Sequence, residues 1–380
     1  MKSNFVINWR NCAFFFTTTA LGVVGGPIYI WKHGLTAVDV TMFLVWTVFT
    51  GMSITVGYHR LCAHRSFKAH PIFQFFCLFF GAAAFQESLL QWTSQHRNHH
   101  RYVDTDQDPY NIKQGFFYAH IGWLIFRKHP INYDNVKDLE NDRFIRSQHD
   151  FYPLWAIAAG IMLPLFIGAC TGNMLGAFLI GIAARITFVH QSTFMINSVC
   201  HYFGKSTYDQ ASSPRDHWIV ALITNGEGYH SFHHRFPSDY RNGVKWYHWD
   251  PSKWAIRLLA FVGLASDLKR ASEFQILSAA LVADKESVER SLGAMPQKVQ
   301  VTALTNLMIR YERIKDLLHT WELKVKEYAA ISKQGLKESD AARKKAAQLQ
   351  AKEAREQFLR MREQWADFVE QMAFKFAFQP

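Results

Sequence analysis

The stretch AVDVTMFLVWTVFTGMSITVGYHRLCAH, residues 37–64, joins a long apolar run directly to two histidines. Residues 37–57 form the apolar run, and about 20 helical residues are enough to cross the roughly 30 Å hydrocarbon core of a bilayer. His59 and His64 follow at once. Their separation of five residues takes them off a common α-helical face, which suits a helix end where the backbone turns away. The stretch therefore predicts a membrane span with potential metal ligands at one end.

Three other apolar runs, residues 12–31, 154–172 and 175–196, are also long enough to span a bilayer. Short turns connect the four runs into two predicted helical hairpins. A fifth run, residues 71–90, is expected to be embedded or buried without crossing, because an even number of spans is needed to keep the histidines together. Arg185 and His190 interrupt the fourth run, and we expect them to face protein or a cavity rather than lipid.

Nine histidines lie in short clusters beside these runs. HRNHH and HSFHH repeat the pattern H-x-x-H-H, whose spacings of three and four residues put the rings on one helical face. Neutral imidazole is a common ligand of iron, copper and zinc, and one ion takes about four to six ligands. Nine rings therefore predict two metal ions. The candidate ligands are His59, His64, His96, His99, His100, His201, His230, His233 and His234.

Lysine and arginine concentrate in residues 58–153 and are almost absent from the two hairpin turns. The positive-inside rule then puts this segment, the N-terminus and everything after residue 197 in the cytoplasm. All nine clustered histidines fall on that side. We expect an integral, multi-pass protein, in a bacterial inner membrane, with a cytoplasmic metal site. The net charge of +11 is dispersed and no nucleic-acid motif accompanies it, so a membrane surface fits better than a nucleic-acid partner.

These observations predict an all-α membrane protein. Four transmembrane helices are capped by a cytosolic helical domain that holds a histidine-rich di-metal site, and a charged C-terminal helical hairpin follows. The expected domain bounds are residues 1–270 for the membrane domain, 271–298 for a linker and 299–380 for the charged extension. Within the extension, the break SKQG separates two helical stretches, which is typical of an antiparallel hairpin.

Four segments carry a resemblance to a known family: HRLCAH, HRNHHRYVDTDQDPYN, NSVCHYFG and NGEGYHSFHHRFPSDYRNG. They resemble the motifs of membrane fatty acyl-CoA desaturases of the stearoyl-CoA delta-9 type, over about residues 5–270. The resemblance implies a four-span bundle whose cytosolic cap holds two iron ions. It makes the nine histidines iron ligands and Asn197 a ligand through water. It also implies insertion of a double bond into a saturated acyl chain, using O2 as co-substrate and two external electrons.

Acidic side chains near the histidine clusters are expected to fix the tautomers of the ligand rings. Asp104, Asp108 and Glu227 are the candidates, with solvated loop acids or helix caps as the alternative for each. The acyl chain is expected to enter an apolar tunnel among the spans. Gln86 and Trp92 match family positions at the acyl entry, and Phe43 and Trp46 are expected to close the far end.

The substrate's head group is less well defined by the sequence. Family members that use acyl-CoA commonly carry an Arg-Asp pair just before the HRNHH cluster, where this chain has Ser94 and Gln95. Arg127 and Lys128 remain as candidate phosphate ligands. A phospholipid-bound acyl chain therefore stays open beside acyl-CoA.

Two other functions share some of these features. A membrane di-iron hydroxylase of fatty acyl, alkane or sterol substrates would have the same histidines. A metal transporter would line a path across the bilayer with them. The sequence contains no heme-binding HPGG and no ferredoxin-like cysteine set, so we expect a separate electron donor, a ferredoxin or a b-type cytochrome with its reductase.

Overall fold

Helices provide nearly all the regular structure of the chain. A computed structural model describes residues 6–127, 131–293, 297–333 and 340–377. It divides the chain into two compact units. The first contains residues 1–206 and 212–270, and the second contains residues 207–211 and 271–380.

The first unit contains ten helices of six or more residues among the residues that the structure describes. They are α1 (Trp9–His33), α2 (Ala37–Ala63), α3 (Pro71–Ala82), α4 (Leu89–Tyr102), α5 (Arg143–Asp150), α6 (Tyr152–Cys170), α7 (Met174–Tyr202), α8 (Trp218–Ile223), α9 (His230–Arg235) and α10 (Pro251–Phe261). Shorter turns cover Ile112–Gln114, Tyr118–Gly122, Trp123–Ile125, Asp134–Val136 and Lys137–Glu140. Two antiparallel two-stranded ladders pair β1 (Val6–Ile7) with β3 (Phe126–Arg127) and β2 (Lys68–Ala69) with β4 (Ala265–Ser266).

Four helices of the described chain, α1, α2, α6 and α7, are long and apolar enough to cross a membrane. This confirms the predicted all-α class with four candidate spans. The helices α1, α2 and α7 extend beyond their apolar runs, and α6 begins and ends two residues earlier than predicted. The polar side chains at the hairpin turns join the two pairs. Asp39 is fully buried, and its carboxylate accepts hydrogen bonds from the Tyr29 hydroxyl (3.2 Å) and the Asn173 amide (2.9 Å). Both turns are thereby fastened at the end of the bundle opposite the histidines.

The helix that carries the first histidine pair departs from α geometry. From Ser53 to Ala63, α2 is a π-helix, and the His64 backbone N–H bonds to the carbonyl of His59 at 3.0 Å. The i→i+5 bonds of a π-helix bring residues five apart into register, and such segments are frequent at functional sites. The sequence argument assumed an α-helix and therefore expected the backbone to turn away between the two histidines. The widened helix achieves the juxtaposition instead.

The fifth apolar run forms two helices rather than one, and its apolar helix α3, with 12 residues, is shorter than the about 20 residues that a span needs. α3 ends at Ala82 and α4 begins at Leu89, where the Ser88 side chain accepts from the Gln91 N–H. α3 lies close against α2, since a Cβ atom at Gly81 would overlap the ring of Tyr58. The turn between α3 and α4 contains two non-glycine residues with positive φ, Phe85 (55°) and Glu87 (74°).

The second unit comprises α11 (Glu273–Leu292), α12 (Gln297–Lys333) and α13 (Asp340–Ala377). The two helices predicted after residue 299 are present. The segment 271–298, however, is largely helix and not a linker. Its apolar residues Leu277, Leu281, Val288 and Leu292 belong to one buried core with Leu307, Phe358 and Trp365. Their helical spacing gives α11 an apolar face that needs the other two helices to cover it.

Candidate metal centre

Four helices converge to bring all nine predicted histidines together. α2 contains His59 near its C-terminal end and His64 follows it directly, α4 contributes three, α7 contains His201 in its last turn, and α9 contributes three. The rings form two groups, and within each group the candidate ligand atoms all lie within 4.8 Å of one another. The first group is His59, His64, His96, His100 and His233, and the second is His99, His201, His230 and His234. The groups adjoin, since the rings of His100 and His234 stack with centroids 4.1 Å apart.

The spacing of the imidazole nitrogens suits metal coordination. In the first group, the Nε2 atoms of His59 and His233 are 2.9 Å apart, and those of His64 and His96 are 2.8 Å apart. In the second group, the Nε2 atom of His230 lies 3.0 Å from that of His201 and 3.1 Å from that of His234. Metal–nitrogen bonds of about 2.0–2.1 Å place adjacent ligand nitrogens about 2.9–3.4 Å apart. The two groups therefore fit one ion each.

Two buried carboxylates determine which nitrogen of a ring faces the centre. Glu227 Oε2 lies 2.9 Å from His59 Nδ1, and Asp108 Oδ1 lies 2.8 Å from His99 Nδ1. Each carboxylate accepts the Nδ1–H bond, so the Nε2 atom of that ring carries a lone pair. These contacts are those expected of tautomer-fixing acids.

The third candidate acid, Asp104, acts through a serine. The Ser213 hydroxyl lies 2.5 Å from Asp104 Oδ1 and donates to it, and the Ser213 backbone N–H bonds to Asp104 Oδ2 at 2.7 Å. With its proton used in this way, the Ser213 oxygen accepts from His201 Nδ1 at 2.7 Å. The Nε2 atom of His201 then also presents a lone pair. Opposed lone pairs repel one another unless a cation lies between them, which is the property of a metal site.

Burial keeps the rings in the form that binds metal. Desolvation, followed by repulsion from neighbouring rings, lowers the pKa of His64, His96, His100, His230, His233 and His234 well below the ordinary value. A lowered pKa favours neutral imidazole, which has a free nitrogen to donate. Burial also raises the pKa of Glu227, but His59 and Arg60 outweigh this effect and lower it to about 2.

A fully buried arginine holds Glu227 in place. Arg60 NH2 lies 2.9 Å from Glu227 Oε1 and 3.0 Å from Asp250 Oδ1. The Asn242 amide donates to Glu227 Oε2 at 2.8 Å, so both carboxylate oxygens are occupied on their outer sides. A buried arginine needs such pairing, because a lone buried charge is costly. Arg60 and Asn242 thus fix the carboxylate of Glu227, which in turn orients the ring of His59.

An apolar cavity of about 460 Å³ reaches the histidines. His59, His96 and His230 line it, and so does Asn197, which lies one helical turn before His201 on α7. Its walls come from spans and from the turn after α3. The aromatic lining residues include Phe14, Phe15, Phe85, Phe188 and Phe194.

Gln86 and Trp92 lie where the sequence analysis expects substrate contacts. Trp92 stacks on His96 with ring centroids 4.8 Å apart, and the Gln86 amide donates to the Thr193 hydroxyl at 2.9 Å. The turn that carries Gln86 is held from α7. Arg185 donates to the carbonyls of Ala83 (2.5 Å) and Gly160 (3.0 Å), and His190 Nε2 lies 2.8 Å from the carbonyl of Ala84. Arg185 is thus a packing residue, whereas His190 also lines the cavity.

The structure does not place Phe43 and Trp46 on the cavity wall. The Trp46 indole is used in helix packing, where it donates to the carbonyl of Ala159 at 3.0 Å, and Phe43 packs on Phe188. Thr47 and Gly51 supply the lining from this part of α2. For Arg127 the structure describes the backbone, which pairs with Val6. Its side chain and all of Lys128 lie outside the described residues.

Ser94 and Gln95, the two positions before the HRNHH cluster, differ in their surroundings. Ser94 is fully buried and donates to the carbonyl of Asn132 at 2.6 Å. Gln95 lines the cavity. An arginine at position 94 has no room there without rearrangement, so the sequence difference reflects local packing as well as substrate contact.

Sequence reasoning missed Arg60 and Ser213. Arg60 stands between His59 and His64, and a cation beside predicted ligands signals a nearby buried acid. Ser213 gave no signal, because it lies in a polar segment and reaches Asp104 only through the fold.

Comparisons with known proteins agree with this site. The sequence profile described as "Fatty acid desaturase" matches residues 39–260, more than half of the chain. The "Probable acyl-CoA desaturase" of Schizosaccharomyces pombe is 40% identical over 265 residues, which are 69% of this chain and 54% of that protein. "Acyl-CoA desaturase 1" of Saccharomyces cerevisiae is 38% identical over 294 residues, 75% of this chain and 56% of that protein.

The chain therefore spans little more than half the length of these two yeast relatives. The "sn-1 stearoyl-lipid 9-desaturase" of Anabaena variabilis is 34% identical over 276 residues, which are 71% of this chain and 96% of that protein. The matched region of the family profile contains all nine clustered histidines and the cavity-lining parts of α2 and α7. On this evidence the chain belongs to the fatty acid desaturase family.

Proposed function

We propose that the protein is a membrane oxidoreductase that inserts a double bond into a saturated fatty acyl chain, using O2 and two external electrons at two iron ions. The observation that carries this proposal is the meeting of an apolar cavity of about 460 Å³ with two groups of histidines at one end. An acyl chain in the cavity would bring methylene carbons directly against the ligand rings.

Two iron ions held by the five-histidine and four-histidine groups would supply the oxidising power that an unactivated C–H bond requires. Overall, the substrate loses two hydrogens from adjacent carbons, and O2, two electrons and two protons complete the formation of two water molecules. Asn197, on the cavity wall beside the second group, is the proposed ligand through water. Glu227, Asp108 and Asp104 with Ser213 would hold the tautomers of three rings.

The protein's own contribution is to position the chain and to exclude water. Trp92, stacked on His96, fixes one wall beside the first group. The turn with Phe85 and Gln86 forms another part of the wall. Hydrogen bonds with Arg185, His190 and Thr193 hold this turn against α7. A confined chain reacts at the carbons that the cavity walls hold against the histidines, so its seating in the cavity sets the position of the double bond. The delta-9 position is our proposal, and the relative named a stearoyl-lipid 9-desaturase supports it.

Acyl-CoA is the proposed substrate, as the names of the two yeast relatives suggest. An acyl lipid is a second candidate, because the Anabaena relative is named for a lipid-bound chain and aligns over 96% of its own length. Gln95, where the CoA-using pattern has an acid, lines the cavity and favours this second candidate.

We further propose that the N-terminus and the histidines face the cytoplasm and that electrons come from a separate acidic carrier, a ferredoxin or a b-type cytochrome with its reductase. The lysine- and arginine-rich segment 58–153 supports both parts, through the positive-inside rule and through electrostatic steering. A metal transporter would place ligands along the bilayer, whereas these histidines gather at one end of the candidate spans α2 and α7.

The experiment is expression in a host without its own desaturase, followed by mass spectrometry of extracted lipids after derivatisation of double bonds. We expect a cis-9 alkene in chains fed as stearate or palmitate. Hydroxylated chains without alkene would favour the membrane hydroxylase and contradict the proposal. Purified enzyme supplied with stearoyl-CoA or with stearoyl phospholipid, reductant and O2 would then distinguish the two substrate classes.

A further inference from the structure

α10 and the loop before it expose an apolar aromatic surface outside the spans. Trp254, Leu258 and Phe261 are spaced by four and three residues, so they share one face of α10, and their exposures are 42%, 63% and 88%. Trp246, in the preceding loop, is 88% exposed. We call these four residues and Val262 the aromatic face.

The polarity of α10 is reversed relative to a helix on a water-facing surface. The side that packs against the rest of the first unit contains Ser252, Lys253 and Ile256. The free side carries tryptophan, leucine and phenylalanine. A contiguous exposed apolar patch of this kind marks an interaction site. Aromatic residues with polar tips are also enriched where protein meets the membrane–water interface.

The loop is held rigidly on the helix. Lys253 Nζ donates to the backbone carbonyls of Gly243 (2.6 Å), Lys245 (2.9 Å) and His248 (3.1 Å). The buried Lys253 therefore fixes the loop that carries Trp246. The tryptophans are preorganised and lose little conformational freedom when they bind a surface.

The position of α10 points to lipid as its partner. The Ser252 hydroxyl contacts Thr55 and Met52 of α2. With a rise of about 1.5 Å per residue, those residues lie roughly 22–27 Å along α2 from Ala37, near the edge of a hydrocarbon core about 30 Å thick. The ladder of β2 with β4 also ties α10 to α3, whose Ile72 and Phe75 are exposed apolar residues. The aromatic face thus belongs to an element that is tied both to α2 near this edge and to α3 with its exposed apolar residues.

The charges around this face favour an anionic lipid. Arg257, on the exposed side of α10, and Arg270 line one cleft together with Trp246 and Trp254. Among the described residues neither arginine has an ion-pair partner. The nearby acids are already engaged, Asp239 with Arg241 (2.7 Å) and Asp267 with Lys68 (2.7 Å).

We propose that the aromatic face inserts into the head-group region of the bilayer leaflet on the histidine side, and that Arg257 and Arg270 bind the phosphate of an anionic phospholipid. Basic clefts of this kind beside transmembrane helices hold anionic head groups. Asp250, at the start of α10, pairs with Arg60 beside the metal centre. The inserted surface would thereby keep the metal centre at a fixed depth relative to the membrane.

The first test is lipid selectivity. The full chain is placed in nanodiscs of phosphatidylcholine and phosphatidylglycerol with identical acyl chains, then released and analysed by native mass spectrometry. We expect retained phosphatidylglycerol, and roughly fivefold weaker retention for each of Arg257→Gln and Arg270→Gln. The control is the Lys315→Gln/Lys326→Gln pair at exposed positions of α12, which removes two positive charges against one in either arginine variant and should leave retention unchanged. Equal retention by the arginine variants, or an effect of the control pair, would overturn the phosphate site.

The second test is depth. Phospholipids brominated near the carbonyl end should quench a fraction of tryptophan fluorescence that disappears in Trp246→Phe. Trp365→Phe, at a residue 2% exposed in the second unit, should not reduce the quenchable fraction. Quenching of Trp246 by aqueous iodide, with none by brominated lipid, would overturn insertion. Weakened binding of an acidic electron-donor protein by the arginine variants, with phosphatidylglycerol retention intact, would make the face a protein-docking surface and would equally overturn the proposal.

Discussion

The metal centre and the second unit are both built from helices, but different physical terms specify them. The centre is polar, and its rings are oriented by directional bonds such as those of Glu227 to His59 and Asp108 to His99. The core of the second unit is apolar, with Leu307, Phe358 and Trp365 at most 2% exposed. Directional bonds fail when one atom changes, whereas apolar packing loses energy in proportion to the volume removed. The comparison teaches that chemistry and stability of this chain should be separable by mutation.

The largest expected effect is removal of one ring from either histidine group. His99→Ala and His233→Ala each leave an incomplete donor set, so we expect loss of bound metal and of alkene formation while the protein still inserts in the membrane. Metal per polypeptide is measured by mass spectrometry and double bonds by lipid analysis. His319→Ala, at an exposed position of α12, is the matched control and should retain both. Full metal content in the His99 variant would contradict its assignment as a ligand.

The two regions also differ in how far the sequence predicted them. The four spans and the gathering of nine histidines were predicted from hydropathy, spacing and the distribution of basic residues. Each of these signals can be identified within a short segment of the sequence. The π-helix at Ser53–Ala63 did not follow, since no residue in SITVGYHRLCA announces i→i+5 bonding. The partnership of Ser213 with His201 joins distant polar segments and depends on the fold. The α11 helix was missed because its apolar face lies within a mixed, charged segment.

The next effect in size comes from the acids that orient the rings. Glu227→Gln keeps the shape of the side chain but presents an amide that can donate where His59 needs an acceptor. We expect metal affinity or activity to fall about 10–100-fold, the usual cost of losing such a partner. Metal titration of the stripped protein measures the first quantity without turnover. Glu322→Gln, at a half-buried ion-pair residue of α12, should change neither. If Glu227→Gln bound metal as tightly as the unaltered protein, the orienting role would be wrong.

The smallest expected effect on the metal centre comes from truncating a large side chain in the core of the second unit. Phe358 is fully buried and stacks near Trp321, with ring centroids 5.5 Å apart. Phe358→Ala should lower the free energy of unfolding of the second unit by about 3–5 kcal/mol, since burial is lost and a cavity remains. Limited proteolysis and denaturant titration of the full chain report that change, while metal per polypeptide should stay at the unaltered level. Leu349→Ala, at a residue 55% exposed on α13, is the control and should cost little, because its side chain is largely in contact with solvent. Loss of metal in Phe358→Ala together with loss of stability would show that the second unit supports the centre energetically, and the separation drawn from the two kinds of packing would then be wrong.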